Sequence, residues 1–232
     1  MINSYLIVWD FDGTLLPNDP YDSEQSLMRY KLYQSGTPIP IIQRALARFL
    51  IYADNREYLR KTFKNFYIRF MKGTREETLD QVAASLAEKI SASDRRVLLQ
   101  LKSAGYPMMV LSCGTADLSE RTLKSAGIRN CFEVIEGNRF QFKNDHISGM
   151  VLHMNEPIEK VHFLQSRGIK SDSVIAVGDG YTDVPLLDWA AKSIMMDRDG
   201  KKRNRYAHKK YQCVSSISAV AELLETWNIG EV

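Results

Sequence analysis

The chain has 232 residues, 44% of them hydrophobic and 25% charged, and a net charge of +3. That length holds one large domain or a core with a smaller insert, the composition is that of an ordinary globular protein, and the charge is too small to point to nucleic acid. Its three cysteines, Cys113, Cys131 and Cys213, are odd in number, far apart and without a Cys-x-x-Cys pair. This argues against a disulfide scaffold or a zinc site and fits a reducing compartment. Residues 1–8 show neither a basic start nor a long apolar run, so no signal peptide is expected, and no stretch approaches the ~18 apolar residues of a membrane span. A cytoplasmic enzyme without a membrane partner is the expectation, and its oligomeric state is open.

In chain order, Tyr5 to Trp9 is a short apolar run of strand formers that stops at Asp10-Phe11-Asp12-Gly13-Thr14, as a buried strand ending in a polar loop does. Pro17 to Asp22 is turn-rich. From Ser23 to about Ile90 apolar residues recur at helical spacing: Leu46, Phe49, Leu50 and Ala53, then Leu59, Phe63, Phe66, Tyr67 and Phe70. Breaks at Gly36–Pro40 and Gly73-Thr74 divide this region into three or four helices, with Thr74 to Glu77 resembling a capping box. An α/β rhythm then resumes. Ser93 can cap a helix reaching Ala104, and Pro107 to Leu111 is a strand ending at Ser112-Cys113-Gly114. A helix over 116–126 and a strand over 132–135 follow. Arg139 to Val151 reads as a hairpin with Asn144-Asp145 at its tip. A helix opens at Glu156-Pro157 and runs to about Arg167. Val174 to Val177 is a third core strand, ending at Gly178-Asp179-Gly180. A helix, a short strand near Ile194–Met196 and a helix from Ser218 to Trp227 complete the chain.

Strands alternating with helices predict an α/β fold: a Rossmann-like parallel sheet with right-handed crossovers, interrupted by an all-helical cap. The expected division is a core of residues 1–16 and 91–232 and a cap of residues 17–90. In such sheets the ligand site lies at the carboxyl ends of the strands, so Asp10, Ser112 and Asp179 should converge.

A carboxylate such as Asp10 can attack a phosphoryl group, and a second one, Asp12, can protonate the leaving oxygen and later take a proton from water. A strand end with two solvated aspartates is the plainer alternative. Mg²⁺ prefers a few hard carboxylate ligands, which Asp10 and Asp179 can supply with Asp183 behind them; otherwise Gly178-Asp179 is a helix-capping turn. Ser112 and the amides of Cys113 and Gly114 can grip phosphate oxygens, or Ser112 is a simple N-cap. Lys160 can neutralise phosphate charge and keep the nucleophile ionised, or it is a surface lysine.

These segments resemble the four motifs of the haloacid dehalogenase superfamily over nearly the whole chain: Asp10-Phe11-Asp12-Gly13-Thr14, Ser112, Lys160, and Asp179 with Asp183. The resemblance implies a Rossmann-like core, Mg²⁺ as cofactor, Asp10 as nucleophile and Asp12 as acid/base. It implies metal ligation by Asp10, Asp179 and the Asp12 carbonyl, phosphate binding by Ser112 and Lys160, and an orienting role at the metal for Asp183. Asp12 points to phosphatases or phosphomutases rather than dehalogenases. The place of the insert and the sequences Ser112–Thr115 and Gly178–Asp183 are similar to the phosphoserine phosphatase-like group. The chain departs from that group's pattern at Cys113, where glycine is usual, and at Thr182, where asparagine is usual, so serine phosphate itself is not implied.

The expected reaction is hydrolysis of a small phosphorylated metabolite through an aspartyl-phosphate. Transfer to a hydroxyl acceptor and non-catalytic phospholigand binding are the alternatives. Eight basic residues and two acids lie between Arg44 and Lys72. Arg56 and Arg60, at i and i+4, are the cap's candidate substrate contacts, against the simpler reading of a solvated helix face. The basic run Lys201 to Lys210 is expected to be an exposed helix rather than a nucleic-acid surface.

Overall fold

The computed structural model describes residues 5–34, 36, 38–54 and 60–227. Seven strands form one sheet: β1 (Leu6–Trp9), β2 (Met108–Thr115), β3 (Val134–Lys143), β4 (His146–Val151), β5 (Val174–Gly178), β6 (Lys192–Met196) and β7 (Gln212–Val214). Their order is β4-β3-β2-β1-β5-β6-β7, parallel throughout except for the antiparallel β3–β4 hairpin. From β1 the chain first builds outward through β2 and β3, then returns to build outward through β5 and β6. The sheet therefore reverses at β1, and the crevice at such a switch point is where ligands bind in open α/β sheets.

Between β1 and β2 lie α1 (Ser23–Tyr33), α2 (Ile41–Asp54), α3 (Arg60–Met71), α4 (Glu77–Glu88) and α5 (Ala92–Ser103). The remaining helices are α6 (Ala116–Ser125), α7 (Glu159–Ser166), α8 (Val184–Trp189), the single turn α9 (Lys202–Arg205) and α10 (Ile217–Thr226). Among the described residues no helix is long and apolar enough to cross a membrane.

Both faces of the sheet are covered, so its central strands β1 and β5 are buried and without polar side chains at every position rather than alternating. Ile7 and Trp9 of β1 point into one cluster, with Val110, Ile175 and Val177 and with Leu27, Leu50, Phe63 and Tyr67 of the helical insert. Leu6 and Val8 point the other way, to Leu111, Ala176, Val161 and Leu164. The insert and one sheet face thus share a continuous apolar core.

Several local expectations are corrected. The α5 cap is Ser91, whose hydroxyl accepts from the Asp94 amide; Ser93 lies inside the helix. Likewise Ser216, accepting from Ala219, starts the last helix ahead of Ser218. No capping box forms at Thr74: α4 begins at Glu77, and the Thr74 hydroxyl has no hydrogen-bond partner among the described residues. That segment instead pairs with the β3–β4 hairpin, through Gly73 N to Ile147 O, Ile147 N to Thr74 O and Glu76 N to Asp145 O. Pairing with a sheet edge satisfies the backbone groups that a cap would have served. The strand over 132–135 and the first half of the hairpin are one strand, β3, whose tip residues Asn144 and Asp145 both have positive φ, as a two-residue hairpin turn requires. The last of the core helices before β5 starts at Glu159, whose carboxylate accepts from the amides of Asn155 and Glu156. In α2 the packed positions are Ala47, Leu50, Ile51 and Ala53, whereas Leu46 and Phe49 are exposed beside Ile41, Ile42 and Tyr52.

One buried side chain ties the strand ends together. Asn138 of β3 donates to Cys113 O (2.9 Å) and Met154 O (3.3 Å) and accepts from the amides of His153 and Met154 (3.0 Å each). It joins the end of β2 to the segment leading into α7. Asn138→Ala leaves these buried backbone groups unpaired and is expected to cost about 2–4 kcal/mol of unfolding free energy. Urea denaturation of the two proteins measures the loss; a difference below ~0.5 kcal/mol would show that water or relaxation replaces the amide.

Candidate active site

Asp10 is the residue after β1, and its amide hydrogen-bonds Val177 O of β5. Its side chain is buried, and its Oδ1 lies 2.6 Å from Lys160 Nζ. Lys160, in the first turn of α7, is fully buried and also lies 2.6 Å from Asp183 Oδ1. The other oxygen of Asp183 accepts from the amides of Asp179 (2.9 Å) and Gly180 (3.0 Å). Lys160 therefore spans the nucleophile candidate and the loop after β5. Asp10, Asp179 and Asp183 each offer an oxygen, all within 4.8 Å of one another.

Two glycines make this approach possible. Gly13 has φ +81°, and a Cβ there would lie 2.2 Å from Asp179 Oδ2. A Cβ on Gly178 would meet Asp183 Cβ at 2.4 Å. A side chain at either place would push the acidic loops apart.

Asp12 points elsewhere. Its two oxygens accept from the Ser23 amide (2.8 Å) and the Ser23 hydroxyl (2.7 Å), so the start of α1 holds it. Ser112 Oγ accepts from the Gly114 amide at 3.0 Å, folding the end of β2 into a turn. A Cβ on Gly114 would sit 3.1 Å from that hydroxyl and 3.2 Å from Asp12 Oδ2, which places Ser112, Gly114 and Asp12 side by side. β2 runs on past Ser112 to Thr115 because β3 pairs with it as far as Asn138. Cys113 is buried and turns its carbonyl to Asn138 and, at 3.3 Å, to Lys64.

Asp10, Asp12, Ser112, Cys113, Gly114 and Thr182 line one cavity of about 100 Å³, closed from the insert side by Asp22, Glu24, Phe63 and Lys64. Space of that order holds a handful of waters or a small anion. Both departures from the phosphoserine phosphatase-like pattern, Cys113 and Thr182, are on its wall.

The electrostatics follow from burial. Asp10 is pushed well above the usual carboxylate range by burial first and by the Asp183 charge, against the pull of Lys160. Burial raises Asp12 to about 6, although the Ser23 hydrogen bonds favour its charged form. Asp179 is also raised to about 6 by burial, with Lys202 opposing. For Lys160 burial disfavours the ammonium, but the Asp10 and Asp183 carboxylates outweigh it and hold the lysine charged. The donor set suits a hard divalent cation: carboxylate oxygens only, close together, with no sulfur or nitrogen among them. Asp10 and Asp179 can hold such an ion. Asp183 also has both oxygens engaged, by Lys160 and by the amides of Asp179 and Gly180.

Asp10, Asp12, Ser112, Cys113, Gly114, Lys160, Asp179 and Asp183 are thus gathered into one region. Arg56 lies outside the described residues, and of Arg60 only the backbone, opening α3, is described. Sequence reading missed the insert's own contribution. Lys64 lies 2.6 and 2.8 Å from the two oxygens of Glu24, both residues are buried, and Thr115 Oγ1 donates to Glu24 at 2.6 Å. Lys64 was one basic residue among eight in a segment with no local mark of burial. Lys202, in the run expected to be an exposed helix, lies 2.5 Å from Asp179 Oδ2. Most of that run is exposed, but Lys202 and Lys209 are half-buried and Tyr206 is buried.

Residues 7–188 match the family model described as haloacid dehalogenase-like hydrolase, and residues 154–224 match a second model of the same description. A phosphoserine phosphatase of Halobacterium salinarum is 26% identical over 229 residues, 97% of this chain and 99% of that protein. A phosphoserine phosphatase of Archaeoglobus fulgidus is 26% identical over 132 residues, 55% of this chain, and the match spans only 37% of that relative's length. A solved substrate-bound phosphoserine phosphatase complex superposes with a TM-score of 0.68 at 16% identity, covering 96% of this chain and 97% of that one.

The raised carboxyls fix the direction of a pH effect. Asp12 and Asp179 protonate near 6 when folded, against an ordinary value of 3.8. The folded state therefore takes up protons that the unfolded state does not, and the stability they contribute is lost as pH rises through about 6. In EDTA the Tm should rise by a few degrees as pH falls from 7 to 5, and Asp12→Asn should flatten part of that rise. A Tm unchanged or falling over the same interval would remove the assignment.

Proposed function

The chain belongs to the haloacid dehalogenase-like hydrolases, and we propose that within this family it is a Mg²⁺-dependent phosphatase that hydrolyses a small phosphate monoester through an aspartyl-phosphate on Asp10. The observation that carries the reading is the convergence of Asp10, Asp179 and Asp183 to within 4.8 Å, with Lys160 bridging Asp10 and Asp183. Similarity to phosphoserine phosphatases along nearly the full length of the Halobacterium salinarum protein supports the phosphatase activity.

In this reading Asp10 is the nucleophile: one oxygen attacks phosphorus as the ester oxygen departs opposite to it. Asp12 donates a proton to that leaving oxygen. Its raised value, about 6, keeps a proton closer to hand near neutral pH than an exposed aspartate would. The Ser23 amide and hydroxyl fix its direction. With the alcohol gone, Asp12 takes a proton from water, which attacks the aspartyl-phosphate and frees Asp10 and inorganic phosphate. Lys160 stabilises the charged form of Asp10 and balances charge on the phosphoryl oxygens. Ser112 and the amides of Cys113 and Gly114 bind those oxygens at the end of β2, the Gly114 amide turning to them from its bond to Ser112 Oγ. Asp10, Asp179 and the main-chain carbonyl of Asp12 would hold Mg²⁺, which supplies charge compensation for an anionic nucleophile meeting an anionic phosphate.

Residues 17–90 act as the cap over a core of 1–16 and 91–232. Phe63, Lys64 and Glu24 on the cap side limit what can accompany the phosphoryl group. Arg56 and Arg60 are proposed as further contacts to the leaving group. Phosphoserine belongs in the test as one compound of a panel of phosphorylated metabolites, since Cys113 and Thr182 set this cavity apart from the usual pattern of that group. We place the enzyme in the cytoplasm.

Asp10→Asn should lower phosphate release from p-nitrophenyl phosphate by at least ~10³-fold with the fold intact by circular dichroism. EDTA should silence the wild type and Mg²⁺ restore it. Retained turnover in the Asp10→Asn protein would rule out the covalent route. In the cap, Arg56→Ala with Arg60→Ala should lower kcat/KM for the best substrate of the panel by about tenfold or more; an unchanged value ends their assignment.

A further inference from the structure

Lys202 has no part in the phosphoryl chemistry, yet it touches a residue that carries the metal reading. Its ammonium lies 2.5 Å from Asp179 Oδ2 and 3.3 Å from Met196 O, and its side chain is 25% exposed. The contact is built in from the backbone. Buried Asp197, directly after β6, accepts from the Lys202 amide (3.0 Å) on one oxygen and from the Arg203 amide (2.9 Å) on the other. Asp197 is itself tied to β7 through Val214 O. From the same turn, Arg198 Nη2 donates to Thr14 O at 2.8 Å, pinning the turn to the loop that carries Asp10 and Asp12. Lys202 is thus delivered to Asp179 by a fixed support, not by a free surface chain.

The oxygen it holds is the one nearest the space beside Gly13, where a Cβ would come within 2.2 Å. Lys202, Gly13, Asp179 and Gly180 line a common cavity of about 750 Å³. A cation reaching Asp179 by this way meets an oxygen already held by a positive charge.

We propose that Lys202 is a resident competitor for the divalent cation: its fixed ammonium on Asp179 lowers the site's affinity for the ion and keeps the metal exchangeable. The proposal rests on Asp179 being a metal ligand. It also gives the metal-free protein a way to hold three close carboxylates together, since Lys160 serves Asp10 and Asp183 while Lys202 serves Asp179. The opposite role, a lysine that aligns Asp179 and so strengthens metal binding, predicts the opposite sign.

Calorimetric titration of the full chain with Mg²⁺, without substrate, separates the two. Removing a unit charge ~6 Å from a divalent ion in a water-like dielectric is worth about tenfold in affinity. Lys202→Met and Lys202→Gln should therefore both bind Mg²⁺ about tenfold more tightly than wild type, and Lys202→Arg should stay close to it. An unchanged or weakened affinity in the two neutral variants overturns the competitor role while wild-type Mg²⁺ binding leaves the phosphatase reading standing. If neither wild type nor variants bind Mg²⁺, Asp179 is no metal ligand and both readings fall.

Discussion

Asp10, Asp179 and Asp183 bring carboxylate oxygens within 4.8 Å of each other in a largely water-free setting. Burial alone penalises each of these charges, and their mutual repulsion adds to the penalty. The surrounding structure is arranged around making that cluster tolerable. Lys160 is fully buried, which a lysine accepts only when paired, and here it is paired twice. Two backbone amides turn to Asp183, and Lys202 holds Asp179. Gly13 and Gly178 are where side chains would otherwise prevent the loops from closing. A buried ion pair is weak evidence for stability, because hydrophobic replacements are often as stable. The triad here is better understood as a site held ready for charge at some expense to the fold.

The sheet explains why such distant residues meet. β1 is central, with β2 on one side and β5 on the other, so the loops after these strands are neighbours at a single edge. Asp10, Ser112 and Asp179 come from those three loops or strand ends. Lys160 arrives from α7, which follows the β3–β4 hairpin, and Asn138 links the end of β2 to the residues that lead into that helix. The groups at the end of β2 and in α7 are therefore braced through shared backbone, and displacement of one strand end would move several of them together.

The parts that were legible in the sequence are those whose meaning is local. An apolar run cut off by Asp-Phe-Asp-Gly-Thr announces a buried strand with acids at its end, and a second run cut off by Gly-Asp-Gly-x-x-Asp announces another. Helical and strand periodicity located the sheet and the insert for the same reason. What stayed hidden depends on which elements cross. Nothing near Lys64 marks it as the buried partner of Glu24, forty residues away, and nothing near Lys202 separates it from its solvated neighbours. The Thr74 cap failed because a sheet edge competed for the same backbone groups. The α2 stripe at Leu46 and Phe49 failed because helical spacing identifies an apolar face without saying which face finds a partner.

The insert is attached unevenly. Its α3–α4 junction is hydrogen-bonded to the β3–β4 hairpin, and Arg121 of α6 reaches Glu76 and Asp80 at the start of α4. On the cavity side, α3 contributes Lys64 to the Cys113 carbonyl and to Glu24 of α1, while α1 also supplies Ser23 to Asp12. The same helix that orients the acid/base candidate therefore also carries the charge that balances the cap lysine. Any movement that draws α3 away from the cavity must expose the Glu24 and Lys64 charges or carry them along as a pair. Unpairing them while still buried would be the costly step.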